Sequence, residues 1–100
     1  MKVIRALAKR PDSKWYSTNV SNTLENLQRF VEGYIETATI AKDVVVICNE
    51  EGRLKGMPYC CTILNHDFVG PVLIVGVNGD EFADVPITFA KAKELGLCKD

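Results

Sequence analysis

The chain has 100 residues and a mass of 11.1 kDa, the size of one domain, since single cores commonly hold roughly 100–150 residues. Its composition, 47% hydrophobic and 25% charged, excludes a disordered or low-complexity chain. Twelve basic and 13 acidic side chains give a net charge of −1, so no global charge attracts the protein to nucleic acid or to an anionic membrane. We therefore expect a single domain over residues 1–100.

The apolar runs are too short for a signal peptide or a membrane span. Arg5 interrupts the apolar N-terminal stretch, and no small-residue cleavage site follows it. The longest apolar runs, Val44–Cys48 and Val69–Val77, fall short of the roughly 20 residues that a spanning helix needs. The sequence therefore predicts a cytoplasmic protein without a membrane partner.

In chain order, the first predicted element is a strand over Met1–Ala8, which is rich in Val, Ile and Leu. Arg10–Asn19 is predicted to be a polar loop, although it contains Trp15 and Tyr16.

A helix over Asn22–Glu32 is the clearest element in the sequence. Asn22 followed by Glu25 is a capping-box pattern, and Gly33 is suited to the left-handed residue that ends a helix. Apolar residues recur at helical spacing along one face, namely Leu24, Leu27, Phe30 and Val31.

Two β-rich runs follow, Tyr34–Ile40 and Asp43–Asn49, and the short break between them predicts a tight antiparallel connection. Asn49–Gly56 is predicted to be a turn region. A short strand over Tyr59–Leu64 and another over Val69–Val77, entered through Gly70 and Pro71, complete the sheet.

The C-terminal part combines a tight turn with a second helix. Asn78 and Gly79 predict the turn, Pro86 suits a first helical turn, and Gly96 ends the helix, with Asp84 as a candidate cap. We therefore predict an α+β fold, with an antiparallel sheet of four to five strands and two helices packed on one side.

The sequence contains no set of residues that specifies a catalytic or metal site. Adjacent residues of a strand point to opposite faces, so Cys60 and Cys61 are poorly placed to share a metal ion with His66. A nucleophile built from either cysteine with His66 and Asp67 would require a hairpin to bring them together. We expect no catalytic residues, no metal and no cofactor.

Charge is distributed unevenly along the chain. Residues 1–14 carry five basic groups and one acid, or +4, whereas residues 15–52 carry two basic groups and six acids, or −4. Basic and aromatic side chains together can bind phosphates and stack on bases, which makes one segment a candidate nucleic-acid site: Lys9, Arg10, Lys14, Trp15 and Tyr16. The alternative is a basic loop whose aromatic rings pack back onto the sheet.

From Thr23 onward the chain resembles the domain of unknown function family 3846 of phages, plasmids and integrative elements in Firmicutes. The resemblance rests on the predicted helix, on Val45–Gly52, on Lys55–Pro58 and on Val69–Gly76, and it leaves out Arg10–Asn19. Its most specific part is a turn, hereafter the family turn, that contains Asn49, Glu50, Gly52, Gly56 and Pro58. The resemblance implies a small accessory protein of a mobile genetic element, acting in a bacterial cytoplasm.

Together these observations favour a non-enzymatic interaction protein whose partner is a macromolecule, most simply a protein. Nucleic-acid binding and sequestration of a small ligand between sheet and helix are the alternatives. A homodimer is a further possibility, because strands as apolar as Val44–Ile47 and Val72–Val75 would need cover if they lay at sheet edges.

Overall fold

The computed structural model of the protein describes residues 2–96, so Met1 of the first predicted strand and Cys98 lie outside the described residues. Strands and helices follow the order ββαββββββα. The strands are β1 (Val3–Lys9), β2 (Tyr16–Ser21), β3 (Ile35–Ala41), β4 (Val44–Asn49), β5 (Tyr59–Ile63), β6 (His66–Val69), β7 (Val72–Asn78) and β8 (Glu81–Ala83). The helices are α1 (Leu24–Val31) and α2 (Phe89–Glu94).

Six strands form one antiparallel sheet in the order β2-β1-β7-β4-β3, with β8 paired to β7, while β5 and β6 form a separate hairpin. The α+β class and the antiparallel pairing are confirmed, but the sheet is larger than the four to five strands predicted. One missed strand is β2, because the predicted loop Arg10–Asn19 ends in strand at Tyr16. Polar side chains hide this strand in the sequence, since it lies at a sheet edge.

Both faces of the sheet are covered, each by one helix. Val45 and Ile47 of β4 pack in a cluster with Leu27 and Val31 of α1. The alternate residues of β4 pack on the other face, in a cluster that contains Ala92 of α2 and residues of the β5–β6 hairpin. The prediction of two helices on one side is therefore wrong. An uninterrupted apolar strand buries both faces, so each face needs its own cover.

The caps of α1 differ from those predicted. Thr23, and not Asn22, caps the N-terminus by accepting a 3.2 Å hydrogen bond from the Asn26 N–H. The amide of Asn22 instead donates to the Phe82 carbonyl of β8 at 3.0 Å. The left-handed residue at the C-terminus is Glu32, with φ of 66°, one position before the predicted glycine.

In α2 the N-cap is Thr88, whose hydroxyl accepts from the Lys91 N–H at 3.1 Å. The predicted cap, Asp84, accepts instead from the Arg5 N–H at 2.8 Å, so it joins the end of β8 to β1. Pro86 lies before the helix and not in its first turn. Gly96, with φ of 75°, follows the helix as predicted.

The most apolar strands are central, so they give no reason for a dimer. Strand β7 pairs with both β1 and β4, and β4 pairs with both β7 and β3. The edges of the large sheet are β2 and β3. In the part of the chain described here, neither helix is long and apolar enough to cross a membrane.

The close approach of the chain after β8 to β7 can be tested at Gly76, because a Cβ there would collide with the Asp84 carbonyl. We expect Gly76→Ala to lower the free energy of unfolding by about 1–3 kcal/mol or more, the usual cost of overpacking. Gly79→Ala meets no atom within 4 Å and bears only the strain of its φ of 66°, about 1 kcal/mol. Urea unfolding of both variants makes the comparison, and a smaller loss at Gly76 than at Gly79 would contradict the close approach.

Candidate functional site

A groove of about 450 Å³ opens between the β3–β4 pair, the β5–β6 hairpin and the family turn. It lies on the face of the sheet that the hairpin covers, since Cys48 belongs to the core cluster of that face. Strand β3 contributes Glu36, Ala38, Thr39 and Ile40; β4 and the turn contribute Cys48 to Leu54; and the hairpin contributes Leu64 and His66 to Val69.

Asn49 fixes the family turn to the rest of the protein. Its side chain is buried, and its amide nitrogen donates to the Val31 carbonyl at the end of α1 at 2.9 Å. Its side-chain oxygen accepts from the Glu51 N–H at 2.7 Å. Gly33 leaves room for this amide, because a Cβ there would lie 2.7 Å from the Asn49 nitrogen. One buried side chain thus sets the position of the groove wall relative to α1.

On the side opposite Asn49, the family turn contacts the β5–β6 hairpin through one close packing contact and one hydrogen bond. Gly52 packs so tightly on the hairpin that a Cβ would lie 2.8 Å from Cγ2 of Val69. The Arg53 guanidinium donates to the Asp67 carbonyl of β6 at 2.9 Å. The turn therefore contacts the sheet through Asn49 and the hairpin through Gly52 and Arg53.

The structure divides the residues of the family turn between two cavities. Asn49, Glu50 and Gly52 line the groove. Pro58 lies at a second cavity of about 420 Å³ with Arg10 and Met57. Gly56 has φ of 68°, which a glycine adopts without strain, and its N–H donates to the Arg53 carbonyl at 3.1 Å. The predicted turn thus serves two neighbouring surfaces.

The groove combines an acidic rim with apolar walls. Four carboxylates line it against one guanidinium, a net charge of −3 when His66 is neutral. The Glu51 carboxylate lies 4.0 Å from the Lys55 ammonium. Because both side chains are exposed, this ion pair offsets the negative charge of Glu51 only slightly. Ile40 and Phe68 are partly buried beneath, and Leu54 and Leu64 are 87% and 43% exposed. Exposed leucines beside carboxylates suit a ligand that is both apolar and cationic.

Cys48 lies in the groove as a protonated thiol. Burial, and then the charge of Glu36 directly opposite on β3, raise the pKa of Cys48 from 9.0 to about 11. A thiol with this pKa is a weak nucleophile at neutral pH, because the thiolate is the reactive form.

A β-bulge changes the expected orientation of the vicinal cysteines. Tyr59 pairs with Val69 and Cys61 pairs with Phe68, so Cys60 is the extra residue. Both thiols consequently lie buried in one core cluster, and the expectation of opposite faces is wrong. A hydrogen bond with Cys61, and secondarily the charge of Lys9, lower the pKa of Cys60 against the opposing effect of burial.

The His66 imidazole and the vicinal thiols of Cys60 and Cys61 are not brought together, although His66 lines the groove that Cys48 also lines. His66 is exposed and pairs with Ile63 at the turn of the hairpin, whereas both cysteines face the core. Within residues 2–96, no three His, Cys, Asp or Glu side chains are grouped to hold a metal ion.

Three of the five predicted nucleic-acid contacts are already engaged within the protein. Lys9 is buried, and its ammonium donates to the Cys60 carbonyl at 2.8 Å. The Arg10 guanidinium lies 4.5 Å from the centre of the Phe30 ring. Trp15 is 8% exposed and stacks on Phe89 with 6.0 Å between ring centres. Lys14 and Tyr16 are exposed. Trp15 therefore packs back onto the protein, as the alternative interpretation of this segment has it.

Sequence reasoning located the family turn but missed the groove walls that the hairpin and β3 supply. Glu36 and Asp67 are far apart in the chain, so no spacing pattern indicates their proximity. Two signals were present. Leu54 and Leu64 are large apolar residues within polar turn segments, where burial in a core does not account for them.

The model of one protein family, described as Domain of unknown function (DUF3846), matches residues 4–95. The chain belongs to this family. The match begins before Thr23, where the resemblance began, and its span runs across residues 10–19. Searches of curated proteins and of solved structures find no match.

The role of Asn49 can be tested through stability. Asn49→Ala leaves the Val31 carbonyl and the Glu51 N–H without this partner, so we expect a loss of about 1–3 kcal/mol in the free energy of unfolding. Asn19→Ala, at an exposed position of β2, is the control and should change stability by less than about 0.5 kcal/mol. Equal losses in the two variants, measured by urea unfolding, would show that Asn49 does not anchor the turn.

The shifted pKa of Cys48 predicts a pH dependence. Because the folded protein retains the thiol proton up to about pH 11 and the unfolded chain releases it near pH 9, the stabilisation is complete below pH 9 and is lost as pH rises to 11. Between pH 9 and 11, the free energy of unfolding of the native protein should fall by on the order of 1–2 kcal/mol more than that of Cys48→Ala. Parallel pH profiles of unfolding free energy for the two proteins would refute the shift.

Proposed function

We propose that this member of the DUF3846 family is a non-enzymatic binding module that holds an extended, basic segment of a partner protein in the groove. The observation that carries the proposal is the groove itself, which joins a sheet edge, an acidic rim and exposed leucines in one place. Each of the three features selects a different property of the ligand.

The sheet edge favours an extended segment. Strand β3 ends the order of the large sheet, so among the described strands only β4 pairs with it. Its outer backbone groups can pair with an added strand, a common mode of peptide recognition. A register shift between Thr39 and Ala41 limits the regular edge to the N-terminal part of the strand. That part contains Glu36 and Ala38, which line the groove.

The charge and the apolar walls favour alternating basic and apolar residues. Side chains of an added strand alternate between faces, so every second residue would face the groove. Glu36, Glu50 and Asp67 come from three different segments and can meet cationic groups along its length. Leu54 and Leu64 can pack against the apolar parts of the same side chains.

A binding role without catalysis accounts best for the chemistry of the site. The thiol of Cys48, which lines the groove with His66, is held protonated, and Cys60 and Cys61 lie apart from His66 in the core. We also propose that the protein acts in a bacterial cytoplasm as an accessory protein of a mobile genetic element. This part of the proposal rests on the family resemblance alone.

The proposal is tested with a fluorescent short peptide of alternating lysine and valine, and with a matched peptide of glutamate and valine. Fluorescence anisotropy should show binding of the lysine peptide, weakening with salt, and at least about tenfold weaker binding of the glutamate peptide. The double variant Glu36→Lys/Glu50→Lys should lose at least about tenfold in affinity for the lysine peptide.

The control is Asp80→Lys/Glu81→Lys, which makes the same charge change at exposed positions of the β7–β8 hairpin, away from the groove. Its affinity should stay within about twofold of the native value at physiological ionic strength, since exposed distant charges are screened. Equal losses in both double variants would reduce the effect to net charge and overturn the groove as the site.

A further inference from the structure

A third cavity, basic where the groove is acidic, lies where β1 ends beneath α2. It has a volume of about 570 Å³ and is lined by Lys9, Ser13, Lys14, Trp15 and Phe89. This volume falls within the roughly 300–1,000 Å³ that small-molecule sites occupy. None of these residues lines the acidic groove, so the two sites are distinct.

Lys9 gives this cavity a buried positive charge. The side chain is only 7% exposed, and its ammonium donates to two carbonyl oxygens, that of Cys60 at 2.8 Å and that of Arg10 at 3.3 Å. Across residues 2–96, no carboxylate forms an ion pair with it. Carbonyl dipoles compensate such a charge less completely than an anion would. The chain therefore keeps a buried cation beside an open cavity.

Two aromatic rings form another wall. The rings of Trp15 and Phe89 stack with 25° between their planes, and both residues line the cavity, which gives it an aromatic, apolar wall. Lys14 is exposed and lines the same cavity, where it adds a second positive charge. An aromatic wall beside two ammonium groups suits a small molecule that has an apolar body and a negative group.

We infer that this cavity binds a small organic anion with an apolar body, its negative group at the Lys9 and Lys14 ammonium groups and its apolar body against the aromatic wall. A nucleic-acid strand fits less well, because its bases stack on open ring faces, whereas the Trp15 ring is stacked on Phe89 and almost fully buried. The inference is independent of peptide binding in the groove, since no residue of one site lines the other.

The test uses a matched pair of probes, 8-anilinonaphthalene-1-sulfonate and the uncharged N-phenyl-1-naphthylamine, which share a ring system. Trp15 is the single tryptophan, so energy transfer from it reports binding of the probe, and the variants below assign the binding to this cavity. We expect one sulfonate molecule to bind per chain, with the uncharged probe binding at least about tenfold more weakly, as expected when a buried charge recognises the ligand.

Lys9→Met should reduce the affinity for the sulfonate at least about tenfold, so that the two probes bind with similar affinity. The control, Lys42→Met, makes the same charge change at an exposed turn and should leave both affinities unchanged. If Lys9→Met does not fold, Lys14→Gln and Phe89→Leu serve in its place, each with an expected loss of about threefold or more.

Three outcomes would overturn the inference. The first is equal affinity for the two probes, and the second is an affinity for the sulfonate that Lys9→Met, or the pair of variants used in its place, leaves unchanged. The third is displacement of the sulfonate by single-stranded oligothymidylate in a salt-sensitive manner. The first indicates a merely apolar surface and the second a different site. The third indicates a nucleic-acid surface instead. Peptide binding at the groove should be unaffected by the sulfonate, so failure of either site is distinguishable from failure of the other.

Discussion

The position of the groove depends on one buried side chain, the carboxamide of Asn49. The Asn49 amide donates to the Val31 carbonyl and so ties the family turn to α1, and its oxygen accepts from the Glu51 N–H and so shapes the turn itself. A backbone bond from the Glu50 N–H to the Tyr34 carbonyl supports the same placement. Both bonds of the Asn49 side chain lie in a buried or half-buried setting, where an unmatched polar group is costly. An amide is suited to this place because it donates and accepts at once, whereas a carboxylate would only accept.

The second constraint is that the central strands are apolar on both faces. Strands β4 and β7 are buried almost throughout, so the sheet needs cover on each side. Helix α1 covers one side, while the β5–β6 hairpin and α2 share the other. Because the hairpin and α2 leave space at their margins, this shared face holds both cavities, the acidic groove by the hairpin and the basic cavity by α2.

Much of the fold could be predicted from the sequence, because the central strands, the first helix and the tight turns carry strong local signals. The short strand β8 and the polar edge strand β2 could not, since tertiary pairing and not propensity makes them strands. The same holds for the orientation of Cys60, which a bulge reverses. Which face α2 covers also depends on long-range packing.

The sequence was sufficient to locate the family turn and the basic, aromatic segment. It did not predict which residues from distant parts of the chain complete each site. Lys9 seemed available for phosphate because lysine is commonly exposed, and only the structure shows it buried against Cys60. Glu36 becomes a groove residue only because β3 pairs with β4 in the observed register. Long-range pairing thus determines the geometry of both candidate sites, which the order of residues along the chain does not show.

The central claim is that a basic strand binds along β3 and into the groove, and backbone amide NMR during titration with the lysine–valine peptide tests it most directly. The account predicts that resonances of β3, of the family turn and of His66 to Phe68 shift together and saturate at one peptide per chain. Shifts confined to the other sheet edge, β2, or spread evenly over all acidic surfaces would contradict it.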